Sequence, residues 1–295
     1  MVQNTMFASG NVTVKSQLGN MQVVEYAKDM SVNFSTAKIE YYSAIMNVNR
    51  RQLLINLSGD SYTIQAGAMQ WMAGNVNMQT GVKGAGDFLG KLVSSKVTGE
   101  SAVKPIYSGQ GQLMLEPTYR HILLTDVASW GGSIVLDDGL FLACDSRLQQ
   151  KVVSRQNLSS AVLGGEGLFN LSLQGQGVLA LESIVPQDEL FEIVLDNDEM
   201  RIDGNMAVAW SGSLQFTVEK STKSLIGSAV SGEGFVNVYR GSGKIWMAPV
   251  MASSGSAGMT DVTENASEGR TGSAAGKKNT LEKIGKVADF IGNFT

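Results

Sequence analysis

The sequence predicts an all-β protein made of three tandem repeats, and three observations support this. Short runs such as "FNLSLQG", "LFEIVL" and "FVNVYRG" alternate apolar and polar residues or are rich in β-branched and aromatic residues, as strands are. The chain has 34 glycines but only 4 prolines, which suits many tight turns. One glycine pattern also occurs three times along the 295 residues.

Each copy of the repeat has a Gly-Glu followed by a Gly-x-Gly. The copies read "TGESAVKPIYSGQGQLMLEP", "GGEGLFNLSLQGQGVLALES" and "SGEGFVNVYRGSGKIWMAP", at a period of about 66 residues. A phosphate loop is needed once and lies between a strand and a helix, whereas this element lies between strands. It therefore predicts structural hairpin turns that need positive φ. The turn residues are Gly99, Glu100, Gly109, Gly111, Gly165, Glu166, Gly175, Gly177, Gly232, Glu233, Gly241 and Gly243.

The three glutamates of this pattern allow two interpretations. Each can cap its local turn, or the three can converge at a pseudo-threefold axis. The favoured interpretation is local capping, because a repeated turn explains the residues without a shared site.

Domain boundaries follow the repeats. Pro117, Pro186 and Pro249 each close a copy, as expected of a residue that cannot donate to a ladder. We expect β-sandwich or double-stranded β-helix-like repeats around a pseudo-threefold axis. An N-terminal β extension, with strand-like "NVTVKS", "QVVEYA" and "SAIMNV", adds edge strands. The predicted units are 1–49 (extension), 50–117, 118–186 and 187–250 (repeats), 251–276 (flexible linker) and 277–295 (helix).

The C-terminal segment predicts a tethered amphipathic helix. Apolar residues recur at helical spacing after a small, polar linker, and lysines flank the apolar stripe. A helix this short is marginal alone, so it needs a surface. Its own β-core, a sister subunit and a membrane interface all stay open. The partner- or membrane-binding residues are Leu281, Ile284, Val287, Phe290, Ile291, Phe294, Lys283 and Lys286.

Few residues suggest chemistry. With one cysteine, Cys144, and one histidine, His121, the chain cannot form an intramolecular disulfide or a Cys/His zinc site of its own. The acidic segment "LDNDEMRIDG", residues 195–204, could hold Ca²⁺, but an acidic hairpin turn is favoured. The net charge of −4 is not that of a nucleic-acid-binding domain. We therefore expect no catalytic residue, metal site or cofactor, and no nucleic-acid partner.

Several motifs carry a resemblance. "AGAMQWMAGNV", "GGEGLFNLSLQGQGVLALES", "IDGNMAVAWS" and "VSGEGFVNVYRGSGKIWM" resemble the mitochondrial biogenesis family named for altered inheritance of mitochondria, over about residues 45–250. The resemblance implies an all-β fold similar to the tryptophan-RNA-binding attenuation protein. It also implies a role like that of the fungal member, which organises inner-membrane complexes. It supplies no catalytic residues. Without a transit peptide, we expect a bacterial-type cytoplasmic member, and a position at the membrane periphery stays open.

Together these features favour a non-enzymatic scaffold. It would self-associate as a homo-oligomer and dock on a membrane or protein partner through its C-terminal helix. The main alternative is a β module that binds a small ligand or a metal ion, while enzymatic and RNA-binding functions are less favoured.

Overall fold

The computed structural model describes residues 4–80, 104–154, 169–220 and 235–250. These residues belong to one compact unit, Met1–Ala252, and form fifteen strands and one α-helix. The predicted all-β class is therefore confirmed. The predicted linker and C-terminal helix lie outside the described residues.

The N-terminal segment contains two strands and one helix. Its elements are β1 (Val12–Leu18), β2 (Met21–Tyr26) and α1 (Ala37–Ile45). β2 pairs with β1 and with the next strand, so two of the expected edge strands are present. The third run, "SAIMNV", was predicted as a strand but lies in and after α1. Local hydrogen bonds explain the helix: the Asn33 side chain accepts the N–H groups of Ser35 and Thr36 at 2.9 and 3.1 Å.

Three successive segments follow. The first contains β3 (Arg51–Ile64), β4 (Met69–Gln79) and β5 (Ile106–Leu115). The second contains β6 (His121–Asp126), β7 (Ser133–Leu136), β8 (Phe141–Asp145), β9 (Gln149–Ser154), β10 (Phe169–Gln174) and β11 (Val178–Ser183). The third contains β12 (Phe191–Asp203), β13 (Ala207–Ser211), β14 (Gln215–Lys220) and β15 (Phe235–Met247).

In each of the three segments, the earlier strands pair antiparallel with the last one or two strands of the same segment. β3 and β4 both pair antiparallel with β5. In the second segment, β6 and β8 pair with β11, while β7 and β9 pair with β10. In the third, β12, β13 and β14 pair with β15. A repeat arranged around a threefold axis nevertheless stays a prediction.

The strands form two curled sheets. One has the order β1-β2-β3-β8-β11-β6, with β4 and β5 beside β3, and the other has the order β12-β15-β13-β7-β10-β9, with β14 beside β15. Apolar clusters fill the space inside them. In the largest cluster the Trp130 and Trp246 rings meet edge to face, with centroids 4.9 Å apart. Burying such large rings removes much apolar surface from water.

The Gly-x-Gly elements bend strands rather than reverse them, which differs from the predicted hairpin turns. Gly109 and Gly111 lie inside β5, and Gly241 and Gly243 lie inside β15. Gly175 and Gly177 connect β10 in one sheet to β11 in the other. Positive φ angles occur at all of these except Gly243. The second element thus passes the chain from one sheet to the other, whereas the first and third lie within single strands; we call all three the glycine corners.

The second glycine of each corner lies too close to its partner strand for a side chain. A Cβ on Gly111 would lie 2.1 Å from the Ala73 carbonyl oxygen. A Cβ on Gly177 would lie 2.8 Å from the Asp145 Cβ, and one on Gly243 would lie 2.8 Å from the Ser211 Cβ. The corner therefore needs glycine because the neighbouring strand approaches closely, in addition to any need for positive φ.

The close approach predicts that alanine at Gly111 lowers stability more than alanine at Gly67. Gly111→Ala adds a methyl group against backbone, so we expect the free energy of unfolding to fall by about 3 kcal/mol or more. Gly67→Ala is the control: Gly67 has φ +80°, but a Cβ added there would meet no atom within 4 Å. This control should lose only about 1 kcal/mol for the left-handed backbone. Urea unfolding measures both variants, and equal losses would contradict the close-approach explanation.

Candidate interaction surface

Helix α1 and the loop before it expose many apolar side chains. Eight of the eighteen exposed large apolar side chains among the described residues lie within residues 30–46, and α1 itself buries none of its residues. Phe34 is fully exposed and Met46 is 75% exposed. We call this set the N-terminal apolar surface: Met30, Val32, Phe34, Ile39, Tyr41, Tyr42, Ile45 and Met46.

A cavity lies between α1 and the loop. Its volume is about 430 Å³, within the range of about 300–1,000 Å³ that is usual for small-molecule sites. Mostly apolar side chains line it, with a few charged ones at its border. The lining residues are Ala27, Lys28, Asp29, Met30, Val32, Ala37, Glu40, Tyr41, Ala44 and Ile45.

The loop before α1 is fixed by Asp29. The Asp29 carboxylate forms an ion pair with Arg50 and accepts a hydrogen bond from the Tyr119 hydroxyl at 2.5 Å. It also accepts the Ser31 amide N–H at 3.0 Å. Burial acts to raise the pKa of Asp29, but these hydrogen bonds and the Arg50 charge outweigh it and lower the pKa. The carboxylate is therefore held charged and fully bonded.

The chain after α1 is fixed by Arg51. Its buried guanidinium donates to Glu25 Oε2 at 2.7 Å, and to the Asn47 carbonyl oxygen and Asn47 Oδ1 at 2.9 and 2.8 Å. We call Arg50 and Arg51, with their acidic partners, the arginine clamp. Because the clamp holds both ends of α1 to the sheet, the exposed apolar side chains are presented in a defined place.

The histidine beside the clamp is held in its neutral form. His121 begins β6, and its pKa is lowered to about 4 by burial and by the nearby positive charge of Arg51. A neutral imidazole here is consistent with the structural role expected from the sequence. Cys144 is fully buried in β8, and burial raises its pKa to about 12, so it is not a reactive thiolate.

The acidic segment at residues 195–204 lies along an edge strand rather than in a hairpin turn. β12 continues through it, with a bulge between Leu195 and Asp198 and a positive φ at Asn197. Among the described residues, no group of three or more His, Cys, Asp or Glu side chains could hold a metal ion. The segment therefore gives no support to the Ca²⁺ alternative.

A charge network covers the third segment. Arg240 donates to Glu199 Oε2 at 2.5 Å and to Glu219 Oε1 at 2.6 Å, and Arg201 donates to Glu199 Oε1 at 2.6 Å. The hydrogen bond from Arg240 is the main cause that lowers the pKa of Glu219 to about 2. Two arginines and two glutamates balance in charge, so the network bridges β12, β14 and β15 rather than attracting an ion.

Several predicted residues cannot be placed. Gly99, Glu100, Gly165, Glu166, Gly232 and Glu233 lie outside the described residues, as do the tail residues Leu281, Lys283, Ile284, Lys286, Val287, Phe290, Ile291 and Phe294. In the part of the chain that the structure describes, no helix is long and apolar enough to cross a bilayer. The N-terminal apolar surface was missed by the sequence reasoning, although "IEYYSAIM" is an apolar run without strand alternation.

If the arginine clamp holds the N-terminal apolar surface in place, removing one of its members should make this region easier for a protease to cleave. Asp29→Ala removes charge-assisted hydrogen bonds, each contributing roughly 1.5–3 kcal/mol, so we expect trypsin to cleave after Lys28 and Lys38 roughly tenfold faster. Asp60→Ala is the matched control, since Asp60 also accepts a tyrosine hydroxyl, from Tyr62 at 2.8 Å. Equal cleavage of the two variants would show that the clamp does not hold α1.

Comparison with known proteins gives a consistent result. A family model described as mitochondrial biogenesis AIM24 matches residues 42–250. An uncharacterized protein of Streptococcus pyogenes serotype M6 is 35% identical over 197 residues, covering 64% of this chain and 77% of that protein. A Streptococcus pyogenes crystal structure from a structural genomics consortium aligns with a TM-score of 0.53 at 27% identity, covering 78% of this chain and 94% of that one. The chain therefore belongs to the mitochondrial biogenesis AIM24 family.

Proposed function

We propose that this protein is a non-enzymatic scaffold that works by self-association and by docking on a partner. The observation that carries the proposal is the N-terminal apolar surface, held by the arginine clamp. Monomeric proteins rarely expose large contiguous apolar patches, and those that do use them for interaction. A cluster of this kind on a fixed helix is costly in water unless a second surface covers it.

A second copy of the chain is the occupant that this surface favours. The side chains around it include Lys28, Asp29, Lys38 and Glu40, so its charges balance and do not select an anionic or a cationic partner. Its exposed tyrosines, Tyr41 and Tyr42, are of a type enriched at protein interfaces. A twofold dimer, in which the same patch meets itself, is the commonest oligomer.

The repeat belongs to this proposal. Three equivalent bent modules around a pseudo-threefold axis, as in the attenuation-protein fold, would give a rigid body with surfaces on several sides. The shared pairing order and the three glycine corners support this equivalence. The predicted C-terminal helix then serves as a tether to a membrane or protein partner, placing the assembly at the membrane periphery.

The alternative function is small-ligand binding, and the cavity beside α1 favours it. The volume fits a small apolar molecule, and the Lys28 side chain at its border could orient a polar group. A chain that stays monomeric but gains thermal stability with an apolar ligand would favour this alternative over the scaffold.

Substitution on α1 and its preceding loop tests self-association. Phe34→Ser with Ile45→Ser removes exposed apolar area, so we expect the mean mass in solution to decrease while stability changes by less than about 0.5 kcal/mol. Ile184→Ser with Val250→Ser is the control, because both residues are exposed elsewhere on the described surface. Light scattering after gel filtration gives the mass, and an unchanged mass in the Phe34 and Ile45 variant would remove this surface from the scaffold.

Deletion of residues 277–295 tests the tether. We expect it to abolish binding to anionic vesicles or to release a protein partner, because each lysine near an anionic membrane contributes about 1 kcal/mol. Vesicle sedimentation and affinity capture measure the two modes. An intact chain that neither sediments with vesicles nor retains a protein would contradict docking by the tail.

A further inference from the structure

Several strands have a partner on one side only among the described residues, and β4 and β12 are two of them. β4 pairs with β5 on one side only, and β12 pairs with β15 on one side only. An open edge presents N–H and C=O groups to which another strand can add. β4 is an unprotected edge, since its eleven residues include no charged side chain and no proline.

The junctions between neighbouring segments show which strands such edges join. Residues 62–64, at the end of β3 in the first segment, pair antiparallel with residues 143–145 in β8 of the second. Residues 134–136, in β7 of the second segment, pair antiparallel with residues 209–211 in β13 of the third. Each segment is thus joined to the next by one short antiparallel pairing.

The glycine corners show which residues of β4 and β12 are equivalent to the residues that pair at the two junctions. Ser108, Gln174 and Arg240 each precede a corner glycine, and they pair with Ser61, Ser133 and Glu199. Residues 62–64 and 134–136 therefore correspond to residues 200–202. The second corner glycines lie against Ala73, Asp145 and Ser211, so residues 143–145 and 209–211 correspond to residues 71–73.

We propose that the chain self-associates head to tail, by antiparallel pairing of residues 200–202 of one copy with residues 71–73 of a second copy. Arg201 then lies opposite Met72, as Thr63 lies opposite Cys144 within the chain. The proposal rests on the proposed self-association and on the equivalence of the three segments. It names a second surface, separate from α1, at which copies join.

The exposure of Met72 indicates that the third junction lacks its partner strand within the chain. At the two internal junctions the central residues Cys144 and Trp210 are buried, whereas Met72 is 44% exposed. Arg201 is held in an ion pair with Glu199, so a strand added at this edge does not meet an isolated charge. The two edges belong to one compact unit and yet do not pair with each other. A second copy supplies both edges and continues the same pattern, which is a heterologous contact that forms rings or filaments.

Disulfide trapping between two singly substituted chains tests the pairing. Full-length Met72→Cys protein is mixed with full-length Arg201→Cys protein under mild oxidation. Directly opposed residues have Cβ atoms about 4.5–5.5 Å apart, close enough for a disulfide after small adjustment. We expect a covalent heterodimer on a non-reducing gel. The native Cys144 does not compete, because it is buried.

Met78→Cys in place of Met72→Cys is the matched control. Met78 is exposed to a similar degree on the same strand, beyond the bend, and we expect no heterodimer from it. Equal trapping at both positions would show random collision and would overturn the proposal.

Two further outcomes would overturn it. In the first, the Met72→Cys mixture fails to form a heterodimer. In the second, a chain with both cysteines closes its disulfide within one chain while the mixture does not react. If the unsubstituted protein is oligomeric by light scattering in either case, the proposed scaffold survives and only this pairing falls. If the unsubstituted protein is a monomer, both the proposed scaffold and the proposed strand pairing are wrong.

Discussion

The fold depends on the close approach of backbone at the glycine corners. Gly111, Gly177 and Gly243 each lie where a Cβ would collide with the neighbouring strand. Without a side chain there, β5 and β15 continue past the corner without interruption, and β10 is followed by β11 in the other sheet. The strands that pair beside these corners also join one segment to the next, since residues 62–64 pair with β8 and residues 134–136 pair with β13.

The same construction explains where the molecule is open to partners. Its interior is closed by apolar clusters, and the carboxylates of Asp29 before α1 and Glu199 on β12 are paired with arginines. Two features of the described residues stand out: a concentration of apolar side chains that face water on and beside α1, and strand edges without a neighbour. Both are features that association removes from water.

The sequence was sufficient for the class of fold and the positions of the corners, because period-two alternation and glycine spacing are local properties. It was not sufficient for what the corners do. A hairpin turn and a bend that crosses layers both use Gly-x-Gly, and only the pairing of the strands on either side of Gly175 and Gly177 with different sheets separates them. The helix α1 was missed because "SAIMNV" has apolar residues that fit a strand, and the hydrogen bonds to Asn33 decide against it. The arginine clamp joins residues distant in sequence, such as Asp29 and Tyr119, and no spacing rule predicts it.

The most direct measurement of the central claim is the mass of the unsubstituted full-length chain in solution, determined by native mass spectrometry over a wide range of concentration. An assembly that joins copies through defined surfaces predicts discrete multiples of the 31.4 kDa chain, with larger species favoured as concentration rises. A single monomeric species at every concentration would contradict the account.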